Sequence, residues 1–137
     1  MSALNPALIP LSLYIHMPWC VRKCPYCDFN SHAVPDGQLS TDLEQQYLAA
    51  LVADFETQLE MAQGRSIHSV FIGGGTPSLI SAQGYTWLFE RLRARLDFEP
   101  DCEITLEANP GTVEHDPFAD YLAAGINRLS IGVQSFN

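Results

Sequence analysis

Three cysteines lie in one short run, Trp19-Cys20-Val21-Arg22-Lys23-Cys24-Pro25-Tyr26-Cys27, with the spacing C-x3-C-x2-C. Three close thiolates suit an iron–sulfur cluster whose fourth iron is left open, since such clusters are otherwise held by four cysteines. An open metal position is where ligands react, whereas a closed one is structural. Zinc is the competing reading, with His16 or His32 as a fourth ligand, although zinc cysteines usually form pairs separated by a longer stretch. Disulfides fit poorly, because three close cysteines leave one unpaired. Cys102 is remote, beside a strand-like run, and reads as a small buried residue.

Three further features could act on a ligand. Gly73-Gly74-Gly75-Thr76-Pro77-Ser78 lets backbone approach a bound group closely. Such a run is equally a plain turn, and it matches neither a P-loop nor a G-x-G-x-x-G fingerprint. Glu107 at a strand end suits a ribose diol, as acidic residues do in nucleotide sites, or is simply a solvated carboxylate. Gln134 offers a donor and an acceptor. His16, His32, His68 and His115 show no metal-ligand grouping and read as surface or core residues.

The elements that must position these residues alternate strand and helix. Leu11 to His16 sets Leu11, Leu13 and Ile15 against Ser12, Tyr14 and His16, the period of a half-buried strand. A long loop follows, broken by Pro18, Pro25, Pro35 and Gly37. A helix is expected from Thr41, where Thr41-x-x-Glu44 reads as a capping box. Its apolar stripe is Tyr47, Leu48, Leu51, Val52, Phe55 and Leu59, with Gly64 as C-cap. A second strand spans Ile67 to Ile72, and a second helix carries Tyr85, Leu88, Phe89, Leu92 and Leu96. A third strand, Glu103 to Glu107, stops at Asn109-Pro110-Gly111. Asp116-Pro117 then opens a short helix as N-cap and first turn, and Gly125 closes it. The fourth strand is Arg128 to Gly132.

This order predicts an α/β fold with parallel strands and right-handed crossovers. The cysteine loop, the glycine run, Glu107 and Gln134 each follow the C-terminal end of a different strand. In a parallel sheet those ends lie on one face, where ligands bind. The four features are therefore expected to converge. Too few βα units are present to close a barrel, and the last strand has no helix to cover it. Residues 1–137 are accordingly read as the N-terminal portion of a larger domain.

Composition narrows the class. Hydrophobic residues make up 47% of the chain, as in a globular protein, and the net charge is −9. Without clustered Lys and Arg there is no dedicated nucleic-acid surface. No apolar run approaches the ~20 residues of a membrane span, and Met1 to Pro10 does not read as a signal peptide. Reduced cysteines without an export signal point to the cytoplasm.

The cysteine motif, with Tyr26 before its last cysteine, resembles that of the radical S-adenosylmethionine (SAM) superfamily. Tyr14-Ile15-His16-x-Pro18-Trp19-Cys20, Gly73 to Ser78, Glu107-Ala108-Asn109-Pro110 and Gly132-Val133-Gln134-Ser135-Phe136 resemble one branch of it. That branch contains the oxygen-independent coproporphyrinogen III oxidases and the HemW-type heme chaperones. The resemblance implies a partial (β/α) barrel and a [4Fe–4S] cluster held by Cys20, Cys24 and Cys27. SAM would chelate the fourth iron, and an electron from the cluster would cleave its sulfonium C–S bond. Tyr14, Gly74, Gly75, Thr76, Glu107 and Gln134 are implied to line SAM, with Tyr26 packed beside the cofactor. The oxidases carry a further cysteine two positions after the last of the three and a longer N-terminal segment. Here that position is Phe29, and only thirteen residues precede Tyr14. Both departures resemble the chaperones, and so does Cys27-Asp28-Phe29-Asn30-Ser31-His32. The implied partners are heme, a heme-acceptor protein and an electron donor, with heme held mainly by residues outside this chain.

Overall fold

The computed structural model describes residues 9–20, 32–33, 40–108 and 116–131. Strand β1, Leu11–Met17, is followed by two short strands, β2 at Trp19–Cys20 and β3 at His32–Ala33. Helix α1 spans Thr41–Thr57, strand β4 Ile67–Gly74, helix α2 Ala82–Arg93 and strand β5 Phe98–Ala108. Helix α3, Phe118–Ala124, and strand β6, Arg128–Ile131, complete the order. The main sheet runs β1-β4-β5-β6 and every pairing in it is parallel. The expected α/β architecture is thus present.

Strand alternation gives the sheet two unlike faces. Leu13 pairs with Val70 and Ile15 with Ile72, while Val70 pairs with Ile104 and Ile72 with Leu106. This row packs with Leu48 of α1 and with Leu88, Phe89 and Leu92 of α2 in one buried core. Burying each such side chain contributes about 1.5–3 kcal/mol, which drives the helices onto this face. The opposite face carries Ser12, Tyr14 and His16 beside Ser69, Phe71 and Gly73. All six residues expected on the α1 stripe are wholly or partly buried.

Five local expectations need correction. Strand β5 begins at Phe98, ahead of the expected Glu103. The N-cap of α1 is Ser40, whose Oγ accepts from the Leu43 N–H at 3.1 Å. Glu44 turns away from any capping box and bonds Ser81 on the neighbouring element. Helix α1 stops at Thr57, before Gly64: Thr57 Oγ1 takes the Asp54 carbonyl, and the Gln58 N–H turns to the Phe55 carbonyl three residues back. A short 3-10 turn, Leu59–Ala62, follows and ends in left-handed Gln63 and Gly64, with φ of 53° and 78°. Strand β4 continues two residues past Ile72, through Gly73 and Gly74, because they pair with His16 and Met17. Finally, Pro117 rather than Asp116 is the N-cap of α3. Asp116 Oδ2 instead accepts the Ala82 N–H at 2.8 Å, satisfying a free amide in the first turn of α2.

Gly125 closes α3 as expected, with φ of 117°. Cys102 is buried in the core, and burial pushes its thiol pKa up. The Asn109-Pro110-Gly111 turn and Gly132 lie outside the described residues. Among the described residues, no helix is long and apolar enough to cross a membrane.

Candidate functional site

The site is built where β1 and β4 end side by side. Gly74 pairs with Met17 and has φ of 109°, a backbone region that other residues rarely adopt. A Cβ there would stand 2.5 Å from the Met17 carbonyl oxygen and 2.8 Å from the His16 ring. Beyond it, the Gly75 N–H donates to the Met17 carbonyl at 2.7 Å, and the Thr76 N–H to the Trp19 carbonyl at 2.6 Å. The glycine turn is therefore bonded to the segment that carries Cys20. The pairing of Trp19 with His32 and of Cys20 with Ala33 brings the far end of the cysteine loop back beside its start. That pairing has no sequence signal, because two-residue strands show no periodicity.

Tyr14 stands on the open face, 57% exposed, with its ring stacked on Phe71 at 6.1 Å between centroids. Its hydroxyl is 3.2 Å from His16 Nδ1. Burial, followed by the charge of Glu107, holds the Tyr14 hydroxyl above its usual pKa. His16 is the residue that sequence reading undervalued. Its Nε2 is buried and has no hydrogen-bond partner among the described residues. Its carbonyl accepts from the Tyr47 hydroxyl of α1. The available signal was the alternation itself, which places His16 on the same face as Tyr14.

Tyr14 lies beside Gly73, while Gly74, Gly75 and Thr76 pair with or bond to Met17 and Trp19 further along the chain, and Glu107 lies near the end of β5, on the far side of β4. Thr76 is 3% exposed and so faces inward from the turn. Cys20 is placed through its backbone in β2. Cys24, Tyr26, Cys27, Phe29 and Gln134 lie outside the described residues. His68 takes no part: it pairs with Glu99 at the opposite end of β4. A separate groove of about 570 Å3 lies between α1 and α2, lined by Glu44, Gln45, Leu48, Ser81 and Trp87. None of the strand-end residues lines it.

The model of the radical SAM superfamily matches residues 14–137, nearly all of the chain. The chain belongs to the radical SAM superfamily. It is 57% identical to heme chaperone HemW of Escherichia coli over 95% of its own length. It is 55% identical to heme chaperone HemW of Haemophilus influenzae over 96% of its length. A solved structure of coproporphyrinogen III oxidase (HemN) from Escherichia coli, described as a radical SAM enzyme, superposes with a TM-score of 0.79. That match has 34% identity and covers 97% of this chain. The chain spans about a third of the length of these relatives, 34% and 33% of the two chaperones and 30% of the oxidase.

Membership of this superfamily implies a [4Fe–4S] cluster and SAM. Two observations fit such a ligand at the strand ends. A Cβ at Gly74 would collide with the Met17 carbonyl and the His16 ring, so glycine lets the turn lie directly on the strand end that leads into the cysteine loop. The His16 ring lies against that turn, and its buried Nε2 has no hydrogen-bond partner among the described residues. The three-thiolate donor set fits the cluster chemically, with one iron free for SAM.

Proposed function

We propose that the full-length protein is a cytoplasmic heme chaperone that binds a [4Fe–4S] cluster and SAM, and passes heme to an acceptor protein. The observation that carries this reading is a contrast within one organism. The chain is 57% identical to HemW of Escherichia coli and 34% identical to HemN of the same species. Phe29, standing where the oxidases carry a further cysteine, supports the same side of the contrast. Residues 1–137 would form the N-terminal portion of the radical SAM core, with the heme-binding residues supplied elsewhere.

In this reading Cys20, Cys24 and Cys27 hold the cluster, which when bound supplies an electron to SAM. Gly74, Gly75 and Thr76 present backbone to SAM, while Glu107 accepts from its ribose hydroxyls. Tyr14 offers a ring face and a hydroxyl kept protonated at neutral pH, with Tyr26 and Gln134 completing the cradle. An electron donor serves the cluster.

Anaerobic incubation of the full-length protein with heme, and separately with coproporphyrinogen III, SAM and reductant, tests the proposal. The expected result is heme binding without conversion of the propionate side chains to vinyl groups. Formation of the divinyl product, with a genuine oxidase as positive control, would replace the chaperone reading with the oxidase one.

A further inference from the structure

The turn that follows the glycines, Pro77–Ile80, is gripped by two tyrosines that neither the cluster nor the SAM reading uses. Tyr121 of α3 is 1% exposed, and its hydroxyl lies 2.8 Å from the Ser78 carbonyl oxygen and 2.7 Å from that of Ile80. One hydroxyl proton is shared between two acceptors. Tyr85 of α2, wholly buried, donates to the Pro77 carbonyl at 2.6 Å. The two rings meet edge to face at 5.9 Å. From the flanking side, Glu44 accepts from both the N–H and the hydroxyl of Ser81.

Buried carbonyls must find donors, so these phenols select one conformation of the turn. The consequence reaches further than the turn. Its leading residues, Gly75 and Thr76, donate to Met17 and Trp19, and Trp19 adjoins Cys20. A continuous bonded route therefore runs from α3, through the turn, to the first cysteine of the cluster loop.

We propose that Tyr121 is a positioning residue for the strand-end site: from α3 it fixes the 73–80 backbone in the shape that receives SAM. The inference rests on the SAM reading above. Backbone groups bind a ligand tightly only when held in place beforehand, because ordering them on binding weakens affinity. Tyr121→Phe keeps the ring and its packing and removes only the hydroxyl, so the turn loses its anchor while the core stays filled.

The test uses full-length protein with its cluster reconstituted anaerobically, comparing the unaltered chain, Tyr121→Phe and Leu92→Ala. Leu92 is buried in the core near the opposite end of α2 and is a control for lost stability alone. Calorimetric SAM titration and amide hydrogen exchange over residues 73–80 are the readouts. Tyr121→Phe is expected to bind SAM roughly tenfold more weakly and to exchange faster across 73–80, with iron content unchanged. Leu92→Ala is expected to lose more thermal stability yet bind SAM like the unaltered chain. Should Tyr121→Phe not fold, Tyr85→Phe, which leaves the Pro77 carbonyl only its bond from the Ile80 N–H, is expected to weaken SAM binding about threefold. Unaltered affinity in the tyrosine variant measured, or weakening that merely follows stability across all variants, would overturn the positioning role. Failure of the unaltered protein to bind SAM would overturn the cofactor reading instead.

Discussion

The two faces of the main sheet present unlike environments along β1 and β4. Toward the helices, Ile15, Ile72, Ile104 and Leu106 are each at most 5% exposed. On the other face, in the same strands, Tyr14 is 57% and Phe71 37% exposed, with Ser12 and Ser69 joined by a hydroxyl–hydroxyl contact of 2.8 Å. Adjacent residues thus belong to opposite environments, because strand side chains alternate. One face supplies the burial that stabilises the fold. The other leaves rings, hydroxyls and the Glu107 charge available to a ligand. Along β1 and along β4 as far as Ile72, buried and exposed side chains separate by the parity of residue number; at the strand end the rule lapses, since Gly74 has the parity of Val70 and Ile72 yet lies in the glycine turn.

That separation can be tested directly. Leu106→Ala is expected to destabilise the full-length protein by about 2–5 kcal/mol, while Phe71→Ala on the open face costs about 1 kcal/mol or less. Denaturant unfolding without ligand measures both, and equal losses would break the distinction.

A second test uses pH. Burial, with the neighbouring Tyr121 and Glu44 adding to it, holds the Tyr85 hydroxyl well above its ordinary pKa near 10. Below about pH 10 both folded and unfolded chains keep this proton, so the contribution of Tyr85 is intact. Above it the unfolded chain loses the proton first, and stability falls by up to about 1.4 kcal/mol per pH unit. Tyr14, exposed on the other face, should contribute far less to that slope. Comparing the alkaline stability slopes of Tyr85→Phe and Tyr14→Phe sharpens the contrast; a flatter slope only in the Tyr14 variant would reverse it.

The smallest effect belongs to the open face. Arg128 and Glu103 pair at 3.2 Å, with side chains 61% and 60% exposed. Solvent and salt screen such pairs, so Arg128→Ala should change stability by about 0.5 kcal/mol or less, and less still at high salt. A larger, salt-independent loss in a denaturant series would show that this face is packed rather than open.

Local rules carried far in reading this chain, and they failed where a distant group competed. The alternation of Leu11 to His16 and the spacing of the α1 stripe were legible because each depends on neighbours a few residues away. Thr41-x-x-Glu44 also looked local, yet Glu44 serves Ser81, thirty-seven residues on. Asp116 likewise looked like the cap of its own helix and instead serves Ala82. In both cases a carboxylate satisfies the unpaired amides or hydroxyl at the start of α2, a partner that exists only once the helices have packed. His16 was passed over because its importance lies in what surrounds it: its ring lies against Gly74, and its buried Nε2 has no hydrogen-bond partner among the described residues.

By itself, then, the order of residues determined the alternation of strands and helices, the thiolate spacing and the strand ends at which the polar features fall. Those depend on covalent sequence, on side-chain period and on the backbone preferences of glycine and proline. Only the tertiary structure decided that the Thr76 N–H holds the Trp19 carbonyl and that Tyr121 holds Ser78 and Ile80. Hydrogen bonds between residues tens of positions apart are chosen by which buried groups would otherwise lack a partner, and that is known only when the strands lie side by side.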